Sequence, residues 1–139
     1  MRYVGLAVVV AFIAAAGASG AAQRGGSLHT TLTGKVEVPR GDLDGTGVAE
    51  VKITGTSVCW EITTAKVARL TAAHIHKGRP GVAGPVVVPF GASFKPKGCT
   101  TAAAATASAI RSNPSAYYVN VHNAKYPGGA LRGQLRSDD

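Results

Sequence analysis

The chain has 139 residues, 45% of them hydrophobic, which suits one domain with its own core and is short for two. Fifteen Lys and Arg against seven Asp and Glu give a net charge of +8. The positive residues are scattered, without a basic run of five and without basic-aromatic interleaving, which argues against a nucleic-acid binder. Charge spread this way serves solubility or loose attraction to anionic surface polymers.

In chain order, Met1-Arg2-Tyr3 is a short positive start, Val4 to Ala16 runs apolar without a charge, and small residues follow to Ala22. This order is that of a secretory signal peptide over residues 1–22, with cleavage after Ala18 or Ala22. The apolar run of about 13 residues falls short of the roughly 20 that cross a bilayer, so no stable membrane span is expected after cleavage. The expected location is extracytoplasmic, secreted or periplasmic. One domain is expected over residues 28–136.

Beyond a Gly-rich entry, apolar and polar residues alternate over Leu28 to Val36, Val48 to Ile53 and Val58 to Thr63. Further strand candidates are Thr71 to His76, Val86 to Phe90, Tyr117 to His122 and Ala130 to Leu135. Asp44-Gly45 reads as a hairpin turn, Gly78 to Pro85 as a loop, and Tyr126 to Gly129 as a turn. Thr101 to Arg111 is Ala-rich, lacks Gly and Pro, and stops before Asn113-Pro114, which predicts one short crossover helix within residues 101–112. Seven short strands predict an all-β fold, an antiparallel β-sandwich or barrel of immunoglobulin-like or superoxide-dismutase-like type. Cys59 and Cys99 form an even pair, which in an oxidising compartment predicts one disulfide.

The chemistry concentrates in the histidines. His74-Ile75-His76 on a strand puts two imidazoles on one face about 7 Å apart. His122 shares a face with Asn120 and Tyr118 on another strand, so three imidazoles converge if the two strands are neighbours. Three nitrogens suit copper or zinc; the alternative is a set of hydrogen-bonded structural histidines lining a polar groove. His29, near a mobile end, is left out of the site. Asp42-Leu43-Asp44-Gly45 lacks the remaining ligands of a calcium loop and reads as a polar hairpin tip. Asn120, Glu37 and Arg132 are placed around the groove, with Arg132 expected to hold Glu37 in a bidentate pair. The chain has no Gly-x-Ser-x-Gly elbow, no free Cys beside a His, and few paired carboxylates, so it is not expected to be an enzyme.

Several motifs occur in order: Leu32-x-Gly34-x-x-Glu37-Val38-Pro39, Asp42-x-Asp44-Gly45-x-Gly47, Cys59-Trp60-Glu61-Ile62, and Ala73-His74-Ile75-His76-x-Gly78 running on to Gly84-Pro85-Val86-Val87. Gly98-Cys99, Asn113-Pro114-x-x-Tyr117-Tyr118-Val119-Asn120-Val121-His122, Pro127-Gly128-Gly129 and Arg132-Gly133-Gln134 complete them. Together, from Leu28 to Leu135, they resemble the CHRD domain, named from chordin and found in many exported bacterial proteins. The resemblance implies an extracytoplasmic β-sandwich module and names no reaction. A looser likeness to the copper-zinc superoxide dismutase sandwich reaches only His74, His76 and His122. The bridging histidine, the zinc ligands and their Asp have no counterpart, so this likeness implies a mononuclear copper site first and a superoxide-dismutase-like redox enzyme only as a third reading.

The expected function is therefore an exported ligand-binding module holding one copper ion. The alternative is a metal-free structural or protein-interaction component of the cell envelope, and the partner is then an extracytoplasmic protein. Mass spectrometry of the exported protein should find Ser19 or Gln23 as its first residue; a chain still beginning at Met1 would show that the leader is kept.

Overall fold

The computed structural model describes residues 26–138. The expected signal peptide lies outside the described residues. Within them the chain forms β1 (Gly26–Thr33), β2 (Thr46–Thr54), β3 (Ser57–Ala65), β4 (Leu70–Lys77), β5 (Val86–Pro89) and β6 (Lys97–Thr101). Helix α1 (Ala104–Ser112) and a 3-10 turn (Pro114–Ala116) follow, then β7 (Tyr117–Asn123), β8 (Leu131–Gln134) and β9 (Arg136–Ser137).

All strand pairs are antiparallel, in the order β5-β4-β7-β8-β1-β2-β3-β6, with β9 beside β1. Period-two patterning makes this sheet one-sided. On β2, Ala49, Val51 and Ile53 are buried while Val48, Glu50, Lys52 and Thr54 are exposed. Val58, Trp60 and Ile62 on β3, Ala73 and Ile75 on β4, and Val119 and Val121 on β7 join the same core. Each such aliphatic side chain contributes about 1.5–3 kcal/mol on burial.

A one-sided sheet must cover its apolar face, and this one curls into a half-barrel to do so. Trp60 on β3 stacks flat on Phe90, just past β5, with centroids 4.5 Å apart. The following segment bridges the two wings: Trp60 Nε1 donates to the Lys95 carbonyl at 2.8 Å and Phe94 N–H to that of Thr71 at 2.9 Å. The all-β architecture is the expected one.

Local differences have physical reasons. The chain leaves β1 at Thr33 and turns, with Gly41 N–H donating to the Gly34 carbonyl at 2.9 Å, so Lys35 and Val36 lie outside the strand. Asp44-Gly45 is not a tight hairpin. It belongs to a longer connection in which Asp42 Oδ1 accepts the N–H groups of Asp44 (3.0 Å) and Gly45 (3.1 Å). The tight hairpin lies between β2 and β3, at Gly55 with φ +58°. Strand β6 was not foreseen, because an edge strand reading Lys-Gly-Cys-Thr-Thr has no apolar alternation. It takes Thr101 from the predicted helix, which starts at Ala104 and buries Ala107 and Ile110. Strand β9, polar and only two residues long, was also missed.

Cys59 and Cys99 face each other directly across β3 and β6 and form the expected disulfide, closing a separation of 40 residues. Chain-entropy arithmetic for such a loop gives about 4 kcal/mol. A Cys59→Ala/Cys99→Ala variant should lose roughly 2–4 kcal/mol in urea unfolding followed by Trp60 emission. An unchanged midpoint would mean that the edge strand is held without the crosslink.

Candidate metal centre

The pairing of β4 with β7 sets the site. Its register puts His74 opposite Asn120, His76 opposite Tyr118 and Ala72 opposite His122. Residues 73 and 75 on β4 and 117, 119 and 121 on β7 face the core, so alternation turns the histidines, Asn120 and Tyr118 to the outer face. Next along, Asn120 pairs with Arg132 on β8. That outer face is covered: Tyr118, Asn120 and Arg132 are each only 2% exposed and His76 8%.

The three expected imidazoles do meet. Ring centroids are 4.8 Å apart for His74 and His122, 5.5 Å for His74 and His76, and 6.4 Å for His76 and His122. One ring nitrogen from each lies within 4.8 Å of the other two, a spacing compatible with a metal site. His74 Nδ1 and His122 Nε2 are 3.0 Å apart.

Backbone carbonyls orient two of the rings. His76 Nδ1 lies 2.8 Å from the Gly84 carbonyl and His122 Nδ1 lies 2.9 Å from that of Pro127. A carbonyl only accepts, so both Nδ1 atoms carry hydrogen, and in neutral His76 the lone pair is left on Nε2. His76 Nε2 is buried and has no hydrogen-bond partner. Asn120 Nδ2 donates to Glu37 Oε1 at 3.0 Å, which aims Asn120 Oδ1 at His122 Nε2, 2.9 Å away. The pocket thus presents the partnerless Nε2 of His76 and the amide oxygen of Asn120 beside two further imidazoles, a donor set that fits a cation. Carbonyl-anchored imidazoles are also the usual outer shell of a metal-ligating His.

Electrostatics points the same way. Burial, followed by the like charges that His122 and His76 would carry, lowers His74 to about pH 4 against a weaker pull from Asn120. Burial also lowers His76, although its bond to Gly84 opposes this. Both rings are neutral at pH 7, the form that binds metal. Glu37 moves the other way: burial raises its carboxyl to about 7, against the Asn120 hydrogen bond and the positive charge of Arg132.

Asn120, Glu37 and Arg132 all lie around the groove, but Glu37 and Arg132 do not form the expected bidentate pair. Arg132 spends its donors on loop backbone: Nη1 on the Val82 carbonyl at 2.7 Å, Nη2 on that of Arg79 at 2.9 Å and on Gln134 Oε1 at 3.1 Å. Its guanidinium lies 3.4 Å from the centre of the Tyr118 ring, and Tyr118 stacks on His76 at 4.8 Å. Loop carbonyls take the guanidinium donors, and the carboxylate finds Asn120 instead. Room for Glu37 comes from Gly129, at φ +136°, where an added Cβ would stand 1.5 Å from Glu37 Oε1. His29, left out of the site, pairs with Asp138 away from it.

Sequence reading missed three parts of the site. The Gly84 and Pro127 carbonyls carry no sequence signal of their own, since any residue has one. Tyr118 was visible as a neighbour on the same face but not as the ring between His76 and Arg132.

The family model of the CHRD domain matches residues 28–135, nearly all of the described structure. Neither the curated proteins nor the solved structures contain a match to the chain.

Opposed titrations make the electrostatics testable in chelator-treated protein. His74 moves from 6.5 to about 4, so between these values the unfolded chain binds more protons and stability falls as pH drops. Glu37 moves from 4.5 to about 7, so the folded chain holds the extra proton and stability falls as pH rises through that span. The slopes oppose each other. Glu37→Gln removes one of them, and its stability should fall more steeply from pH 6.5 to 4.5 than that of the native protein in urea titrations. Parallel curves would contradict the assignment.

Proposed function

The chain belongs to the CHRD-domain family, and from that premise we propose that it works outside the cytoplasm as a binding module holding one copper ion through His74, His76 and His122. One observation carries the reading: His76 Nε2 is buried without a partner, beside two further imidazoles, while its own Nδ1 is anchored on a carbonyl. A buried acceptor with no donor is costly unless something satisfies it. Imidazole nitrogens suit copper and zinc, and copper heads the affinity order of the divalent first-row metals.

His74, His76 and His122 are the ligands in this reading. The Pro127 carbonyl orients His122 through Nδ1, and Glu37 holds the Asn120 amide so that its oxygen points into the pocket beside the imidazoles. Bound copper would supply Lewis acidity and one-electron chemistry. Tyr118, Arg132 and the loop through Gly84 shield His76 from water. In this reading the module binds its ion, and no catalytic step is assigned to it. The disulfide is consistent with an oxidising, extracytoplasmic compartment. Among the described residues, no helix is long and apolar enough to cross a membrane.

Titration of the exported protein with Cu(II), followed by electron paramagnetic resonance, should give one nitrogen-ligated signal at one equivalent. Asn120→Ala should weaken binding about 10- to 100-fold, and His76→Ala by more. An unchanged aqueous-copper spectrum, or equal binding by His76→Ala, would overturn the proposal and leave a metal-free interaction module.

A further inference from the structure

A second concavity adjoins the histidine cluster and shares Glu37 with it. It is a cleft of about 630 Å³ over the junction of β1 and β8, walled by residues 35–38 on one side and by Pro80 and Gly81 on the other. These two strands pair only at Thr33 and Arg132, so the floor beneath the cleft, Thr30, Thr31 and Gly133, is not continuous ladder. The volume lies within the range of small-molecule sites.

The lining has two characters. Val36, Val38, Pro80 and the threonine methyl groups make it mainly apolar, and Val36 is 52% exposed at its side. Lys35 and Arg136 are exposed cations on its lining, and neither forms an ion pair with a carboxylate among the described residues. Arg132 adds a third, buried positive charge. The only acidic side chain in the lining is Glu37, 5% exposed, whose Oε2 is buried without a partner. Its other oxygen is taken by Asn120.

We propose that this cleft binds an aliphatic carboxylate, with its chain on the Val36, Val38 and Pro80 wall and its head group held by the exposed cations of the lining, Lys35 and Arg136. The polarity follows from charge complementarity: three cations surround an apolar trough. Burial raises the Glu37 carboxyl to about 7, so near neutral pH much of it is the uncharged acid and repels an incoming anion little. An aliphatic alcohol would gain the wall and leave the cations unanswered. An alkylammonium would meet like charge. The site does not depend on the metal reading, because none of His74, His76 and His122 lines it.

Octanoate added to the chelator-treated exported protein should produce saturable amide shifts at Thr31, Gly133 and Gln134 in nitrogen-proton correlation spectra. Octanol and octylammonium should bind about tenfold more weakly, the scale of two exposed ion pairs. A Lys35→Ala/Arg136→Ala variant should lose the same factor for octanoate while its copper spectrum stays that of the native protein. Equal binding of octanol and octanoate, shifts spread over the whole surface, or native affinity in the double variant would each overturn the assignment. Because every octanoate titration uses metal-free protein, failure of the copper reading leaves this result unaffected.

Discussion

The antiparallel register between β4 and β7 is the constraint from which the rest of the site follows. Setting His74 across from Asn120 and His76 across from Tyr118 decides which side chains share the outer face. The core side of the same two strands is filled by Ala73, Ile75, Val119 and Val121. A slip of either strand by one residue would turn its own two of these outward and drive its share of the imidazoles into an apolar interior, a double penalty that locks the register. The hydrophobic core thereby determines the geometry of a polar cluster that it never touches.

That cluster sits on the outer face of a central strand, where side chains normally meet water. Here they do not, because three backbone segments fold over them: residues 34–42, the loop from Gly78 to Pro85, and the turn through Pro127. Arg132 holds the second of these by its carbonyls, and Gly84 in the same loop anchors His76 and donates to the Tyr118 hydroxyl at 3.0 Å. The guanidinium, phenol and imidazole form one continuous stack from β8 across β7 to β4. Positioning of the partnerless nitrogen of His76 is therefore shared between a strand, a loop and an arginine two strands away.

Strands with strong alternation were legible in the sequence, and so was the meeting of the histidines. His-x-His states its own parity, and Tyr118, Asn120 and His122 state theirs, so only the adjacency of two strands remained open. Strand β6 was illegible for the converse reason: its neighbour supplies the apolar side through Trp60, and its own residues carry no pattern. The turn at Asp44-Gly45 misled because Asp42, two residues earlier, captures the local N–H groups and lengthens the loop. The partner of Arg132 could not be read at all. Guanidinium-to-carboxylate pairing is a sound default, yet the acceptors that win are main-chain oxygens about 50 residues away in sequence, displayed by loop shape and not by residue type.

The crosslink between β3 and β6 has a chemical consequence besides stiffening an edge. Cys59 and Cys99 are the chain's two sulfur atoms capable of becoming thiolates, and each is consumed by the other. Thiolate is the soft donor that would draw a d-block cation away from nitrogen and favour its reduced state. With both sulfurs sequestered on the far wing of the sheet, an ion arriving at this protein meets imidazole and amide oxygen without a sulfur competitor.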